Sequence, residues 1–144
     1  MSLLNRTSSD TRRAMRASAR QRENLVHDVK AGDHHLTVDE PVASGGDDQG
    51  PSPQELLAAA LASCTAVTME MYAKRKGWDA SGLRVDVRYM PAERGCPTRF
   101  DLVFNMPPQL DEDQVEKLRV IAAKCPVHRT LEGEVAFDER VEQA

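Results

Sequence analysis

The sequence has no excess of positive charge: 19 lysines and arginines stand against 23 aspartates and glutamates, a formal net charge of −4. A nucleic-acid partner would need Lys and Arg clustered on one face, so none is expected. No uninterrupted apolar run reaches the roughly 18 to 20 residues that cross a bilayer. No charged start followed by an apolar stretch marks a secretory signal. These absences predict a cytoplasmic protein with no membrane partner. Internal repeats and low-complexity tracts are lacking too. Cysteine is sparse, with only Cys64, Cys96 and Cys125. An odd number cannot all pair within one chain, and in a reducing cytosol the remaining uses are packing, metal binding or redox chemistry.

What is present suits one core of ordinary size: 144 residues, 40% of them hydrophobic. The expected organisation is an N-terminal arm, residues 1–22, followed by a single domain, residues 23–144. Arg6, Arg12, Arg13, Arg16, Arg20 and Arg22 face only Asp10 and Glu23 in the first 23 residues. That stretch reads as an exposed arm, helical across Thr11 to Arg20, that packs on a partner subunit.

Leu25 to Ala31 and His34 to Val38 predict two strands joined at Gly32-Asp33. Ala43 to Pro53 is a loop by composition. A helix should then start with Ser52 as cap, Pro53 at the first position and Glu55 completing a Ser-x-x-Glu capping box. It should end at Gly77, after Lys74, Arg75 and Lys76. Leu56 to Ala73 is apolar or small on nearly every face, which predicts a rod of roughly 36 Å enclosed on all sides. A monomer of this size could not cover such a rod, so a dimer is expected. Alternation predicts strands over Leu83 to Tyr89, Phe100 to Met106 and Val135 to Val141. A second helix should open at Leu110-Asp111, carry Cys125 on its apolar face and close at Pro126. The fold class is α+β.

Cys64 falls mid-helix, aligned with Leu57, Leu61, Thr68 and Met71, where an inert packed cysteine would look the same. Cys125, on the apolar face of a helix expected to pack against the first, could bring its Cα within the roughly 4.4 to 6.8 Å that a disulfide needs. A reactive thiol must be a thiolate. Cys64 lies too far from the helix N-terminus to draw on its dipole, so a cation is required, and Arg22, His128 and Arg129 are the candidates. Gln54 lies within about 80° of Cys64 around the helix and Glu55 on the opposite side. Cys125-Pro126-Val127-His128 also has the spacing of a zinc-ligand pair that Cys64 and Cys96 could complete, although no metal is the favoured reading.

Gly50 to Thr65, read as Gly-Pro-Ser-Pro-Gln-Glu-Leu-Leu-Ala-Ala-Ala-Leu-Ala-Ser-Cys-Thr, resembles the central helix of the OsmC/Ohr family. Cys125-Pro126-Val127-His128-Arg129-Thr130-Leu131 resembles that family's second cysteine segment. Met71 to Trp78 resembles OsmC-like domains in particular. The resemblance implies an OsmC-like fold: antiparallel sheets wrapped around a long central helix and a second helix, in an intertwined homodimer with active sites at the interface. It further implies a thiol peroxidase. Cys64 would attack a hydroperoxide, preferably organic, become a sulfenic acid and condense with Cys125 to a disulfide. No bound cofactor is implied, only an external dithiol reductant, for instance of lipoyl type. The peroxidase branches carry Glu where this chain has Gln54, and an arginine in a Gly-Gly-Arg context for which Arg22 is the counterpart. Those departures motivate an alternative: a non-enzymatic module holding a hydrophobic ligand in the interface pocket.

Overall fold

A computed structural model describes residues 10–143. Arg6, counted above in the arm, lies outside the described residues. Two compact units are present, one ending at Pro53 and the other beginning at Gln54.

The first unit is an antiparallel meander of β1 (Ala17–Glu23), β2 (Val26–Ala31) and β3 (His34–Val38). Register runs from Ala17 opposite Ala31 to Glu23 opposite Val26, with an irregularity between Gln21 and Glu23. The expected arm helix is therefore corrected: its second half is a strand. A short arginine-rich helix has no apolar face to bury, whereas pairing with β2 satisfies the backbone directly. Gly32, with φ 59°, makes the β2–β3 turn as the sequence predicts.

Beyond β3 the loop is tightly organised. Asp39 is buried, and its carboxylate accepts the backbone N–H groups of Glu40 at 2.7 Å, Asp47 at 3.1 Å and Gln49 at 3.0 Å. Burial works to raise its pKa, but these three donors hold it below the usual aspartate value. Gly46 is buried where an added Cβ would lie 2.0 Å from the Glu40 carbonyl oxygen.

The second unit contains nearly all of α1 (Pro53–Lys76), then β4 (Arg84–Met90), β5 (Arg99–Asn105), α2 (Glu112–Ala122) and α3 (Pro126–Glu132). α1 has the predicted ends. Its last turn closes by Trp78 N–H to the Ala73 carbonyl at 2.9 Å and Gly77 N–H to that of Lys74 at 3.2 Å, with Gly77 left-handed at φ 73°. β4 and β5 pair from Arg84 opposite Asn105 to Met90 opposite Arg99, and Tyr89 stacks on Phe100. Met69 and Ala73 of α1 join Leu110, Leu118 and Ala122 in a core flanked by Leu83, Val85 and Phe104. Burying Leu61, Met69 and Leu118 each contributes about 2 kcal/mol.

Three sequence expectations meet the structure here. First, this chain alone does not enclose α1, as expected of a rod that a monomer of this size could not cover. Its buried stripe is Leu61, Thr65, Met69 and Ala73, four residues apart, while Val67 and Met71 are 50% and 62% exposed. An apolar circumference states what a helix prefers, not which chain supplies the cover. By length and composition alone α1 could also cross a membrane, which qualifies the inference drawn from uninterrupted runs, but core helices share that composition. Second, α2 opens as predicted, with Asp111 and Gln114 forming a reciprocal capping box, but it ends at Ala122, before Cys125. Pro126 starts α3 instead of closing α2. Third, Val135 to Val141 forms no strand, and Val135, Phe137 and Val141 are exposed. Alternation needs a neighbouring strand to pair with, and among the described residues this segment has none.

Candidate functional site

The middle of α1 and the start of α3 bring Cys64 and Cys125 together. Cys64 is half-buried and Cys125 fully buried; both are free thiols, and each is among the groups that act on the other's ionisation. Cys125 is the cap of α3. Its φ of −54° and ψ of 128° leave the helical region, Pro126 follows with no N–H to satisfy, and the Cys125 sulfur accepts the His128 backbone N–H at 3.4 Å. The Arg129 N–H closes the turn on the Cys125 carbonyl at 3.0 Å.

Two hydroxyls of α1 accompany the sulfurs. Thr65, wholly buried, donates to the Leu61 carbonyl at 2.7 Å and also reaches the Cys125 thiol. Thr68 donates to the Cys64 carbonyl at 2.7 Å and reaches the Cys64 thiol. The Val127 backbone N–H acts on both sulfurs.

These contacts push the two thiols in opposite directions. Burial raises Cys64, the adjacent Cys125 raises it further, and the Val127 N–H and Thr68 hydroxyl do not offset them. Burial opposes ionisation of Cys125 as well. There the Cys64 thiol, the His128 N–H, the Thr65 hydroxyl and the Val127 N–H outweigh it and bring Cys125 below the usual cysteine value. The arrangement can form a disulfide.

Arg22 is ion-paired with Asp28 and reaches the Thr37 hydroxyl at 3.4 Å, all within the first unit. The His128 ring meets the Glu132 carboxylate at 2.8 Å, so only its backbone addresses Cys125. Arg129 is exposed, with no guanidinium ion pair among the described residues. Gln54 and Glu55 are exposed in the first turn of α1, about 14 to 15 Å along the axis from Cys64. Neither is among the groups acting on the sulfurs. Cys96 is exposed in the β4–β5 turn, where its N–H donates to the Glu93 carbonyl at 2.8 Å. A Cys₃His zinc set is not assembled among the described residues. A shallow concavity of about 320 Å³ beside the C-terminal end of α1 is lined by Glu70, Lys74, Trp78 and Asp79 and contains neither Cys64 nor Cys125.

Sequence reasoning missed Thr65 and the two backbone donors. Thr65 directly follows Cys64 and sits on the same buried stripe as Leu61 and Met69, which was the available signal. The donors depend on a cap that only appears once Pro126 is seen to begin a helix.

None of the curated proteins matches this sequence. The family profile for OsmC-like protein matches residues 45–140, a span containing both cysteine segments. Among solved structures, a Psychrobacter arcticus protein is 22% identical, with a TM-score of 0.70 over 83% of this chain and 90% of that one. The OsmC-like protein of Mycoplasma pneumoniae is 20% identical, with a TM-score of 0.70 over 84% and 89%. The organic hydroperoxide resistance protein OhrB of Bacillus subtilis is 23% identical, with a TM-score of 0.58 over 83% and 91%. Antiparallel sheets, a long helix carrying the first cysteine segment and a profile match across two thirds of its length establish that this chain belongs to the OsmC-like protein family.

Proposed function

We propose that this chain is a cysteine-based hydroperoxide reductase with Cys64 as the attacking sulfur and Cys125 as its disulfide partner. One observation carries the reading: a half-buried thiol on α1 and a sealed thiol at the start of α3 are close enough to act on each other. Cys64 attacks the terminal oxygen of the peroxide, the O–O bond breaks, an alcohol leaves and Cys64 becomes a sulfenic acid. Cys125 then displaces hydroxide from it and the disulfide forms. An external dithiol, of which a lipoyl group is one form, restores both thiols. Apolar surroundings favour organic hydroperoxides, the compounds for which the organic hydroperoxide resistance protein OhrB of Bacillus subtilis is named. The exposed Val67 and Met71 face of α1 suits cover by a second copy, hence a homodimer. The proposed setting is the cytoplasm.

Cys64→Ser should abolish consumption of cumene hydroperoxide in the presence of a dithiol, and turnover that persists in this variant refutes the mechanism. A second reading, an OsmC-like module that holds a hydrophobic ligand without turnover, draws on the raised Cys64 thiol and on there being no cation, among the described residues, in the set of groups acting on it. A ligand retained through purification, with no peroxide consumed, decides for that alternative.

A further inference from the structure

A disulfide offers a reductant two sulfurs, and exchange begins at only one of them. The fold treats the two unequally. Cys125 is 0% exposed, enclosed by its own chain at the start of α3 with its sulfur under the His128 N–H at 3.4 Å. Cys64, in the middle of α1, is only half-buried. A second copy packed on α1 adds cover and removes none, so Cys125 stays sealed in any assembly of this fold. Cys64 must stay within reach of a hydroperoxide in that same assembly, because its oxidation is the first step of the reading above. The way in to the pair therefore ends at Cys64.

Thiol–disulfide exchange is an in-line displacement, in which the attacking sulfur approaches from the side opposite the sulfur that leaves. Every side of Cys125 is packed. Approach to Cys64 comes from its open side and drives the electron pair toward Cys125, where a backbone N–H already points at the sulfur.

We propose that the external dithiol attacks the Cys64 sulfur of the disulfide, so that the mixed disulfide is carried on Cys64 and Cys125 is the leaving group. This rests on the reductase reading and gives the reducing half of the cycle to the same sulfur as the oxidising half. In the first exchange the reductant's thiolate forms an S–S bond to Cys64, the Cys64–Cys125 bond breaks, and Cys125 departs with the electron pair and takes up a proton. In the second, the reductant's other thiolate attacks its own sulfur in the mixed disulfide, closes a cyclic disulfide and releases Cys64 as a thiolate. The dithiol is oxidised by two electrons and the protein disulfide reduced by two. A monothiol stops after the first exchange.

The test uses dithiothreitol methylated on one sulfur, a monothiol that cannot complete the second exchange. The protein is oxidised with one equivalent of cumene hydroperoxide, mixed briefly with that thiol and quenched in acid; free thiols are capped with N-ethylmaleimide and the peptides mapped. The adduct should lie on Cys64 and the maleimide on Cys125, by about tenfold or more over the reverse pattern. An adduct on Cys125, or equal amounts on both, overturns the proposal, since α3 would then have to open to admit the reductant. Access is measured separately in the reduced protein, by native-state alkylation with N-ethylmaleimide and with the exposed Cys96 as the reference thiol. Cys64 should react about a hundredfold faster than Cys125, and comparable rates overturn the proposal even where no adduct accumulates. If the peroxide forms no disulfide, the reductase reading fails; diamide then supplies the oxidised protein, and the same mapping judges which sulfur the thiol attacks. Should diamide not join the two sulfurs either, the proposal falls.

Discussion

Asp39 and Cys125 are each a sealed acid held by backbone N–H groups without a cation among the groups bonded to them. Asp39 collects three such donors across a turn of chain and ties the segment from Glu40 to Gln49 into one shape. Cys125 collects the N–H groups of His128 and Val127, then completes its shell with a hydroxyl and a second thiol. A carboxylate far below neutrality is an anion under all ordinary conditions and can only organise structure. A thiol ordinarily ionises much closer to neutrality, so the same kind of contact bears on when it ionises.

The sharpest way to break the carboxylate half of this comparison is Gly46→Ala. The new Cβ would lie 2.0 Å from the Glu40 carbonyl oxygen and 2.8 Å from an Asp39 carboxylate oxygen, contacts that backbone must move to relieve. A loss of about 3 kcal/mol or more is expected in chemical denaturation. An unchanged midpoint would mean that the loop is not held as described.

Asp39→Asn should act more gently, because it keeps the shape while removing the charge and turning one accepting oxygen into an amide nitrogen that cannot accept. The lowered Asp39 value means its contribution is present above the ordinary aspartate value and lost as pH falls through its folded one. The variant should be less stable at neutral pH and change less on acidification below about pH 4. Acid denaturation curves of both proteins check this, and parallel curves would contradict it.

For the thiols the signs oppose. Cys64 is raised, so its share of stability is present below the ordinary cysteine value and lost as pH rises through its folded value. Cys125 is lowered, so its share is present above the ordinary value and lost as pH falls through its folded one. Cys125→Ser removes the second slope and leaves the burial of Cys64. Stability of that variant should therefore decline through and above about pH 8.5, where the unaltered dithiol protein stays flatter. Denaturation at a series of pH values reads the difference, and equal slopes would place the proton differently.

Much of this scaffold was legible because it is written locally. Pro53 and Gly77 bound α1, Gly32 marks the first unit's second turn, and alternation over Val85, Val87 and Tyr89 marks β4. The cysteine pair was legible as candidates but not in its setting. Pro126 can end one helix or begin another, and both readings satisfy the same sequence; only the seat of Cys125 under the His128 N–H separates them. Thr65 was hidden for a related reason, since a threonine bonded to the carbonyl four residues back looks alike on any helix. The alternation of Val135, Phe137 and Val141 misled because pairing is a property of two strands.

The smallest expected effect concerns His128, which the sequence offered as an activating cation. Its ring is bonded to Glu132 and its backbone N–H to the Cys125 sulfur, so the residue faces the site with the one group that substitution leaves in place. His128→Gln should leave the first oxidation of Cys64 within about twofold, whereas a group that itself carried the proton would account for about a hundredfold. Single-turnover trapping of the sulfenic acid distinguishes the two. A hundredfold loss would put the imidazole on the proton's path.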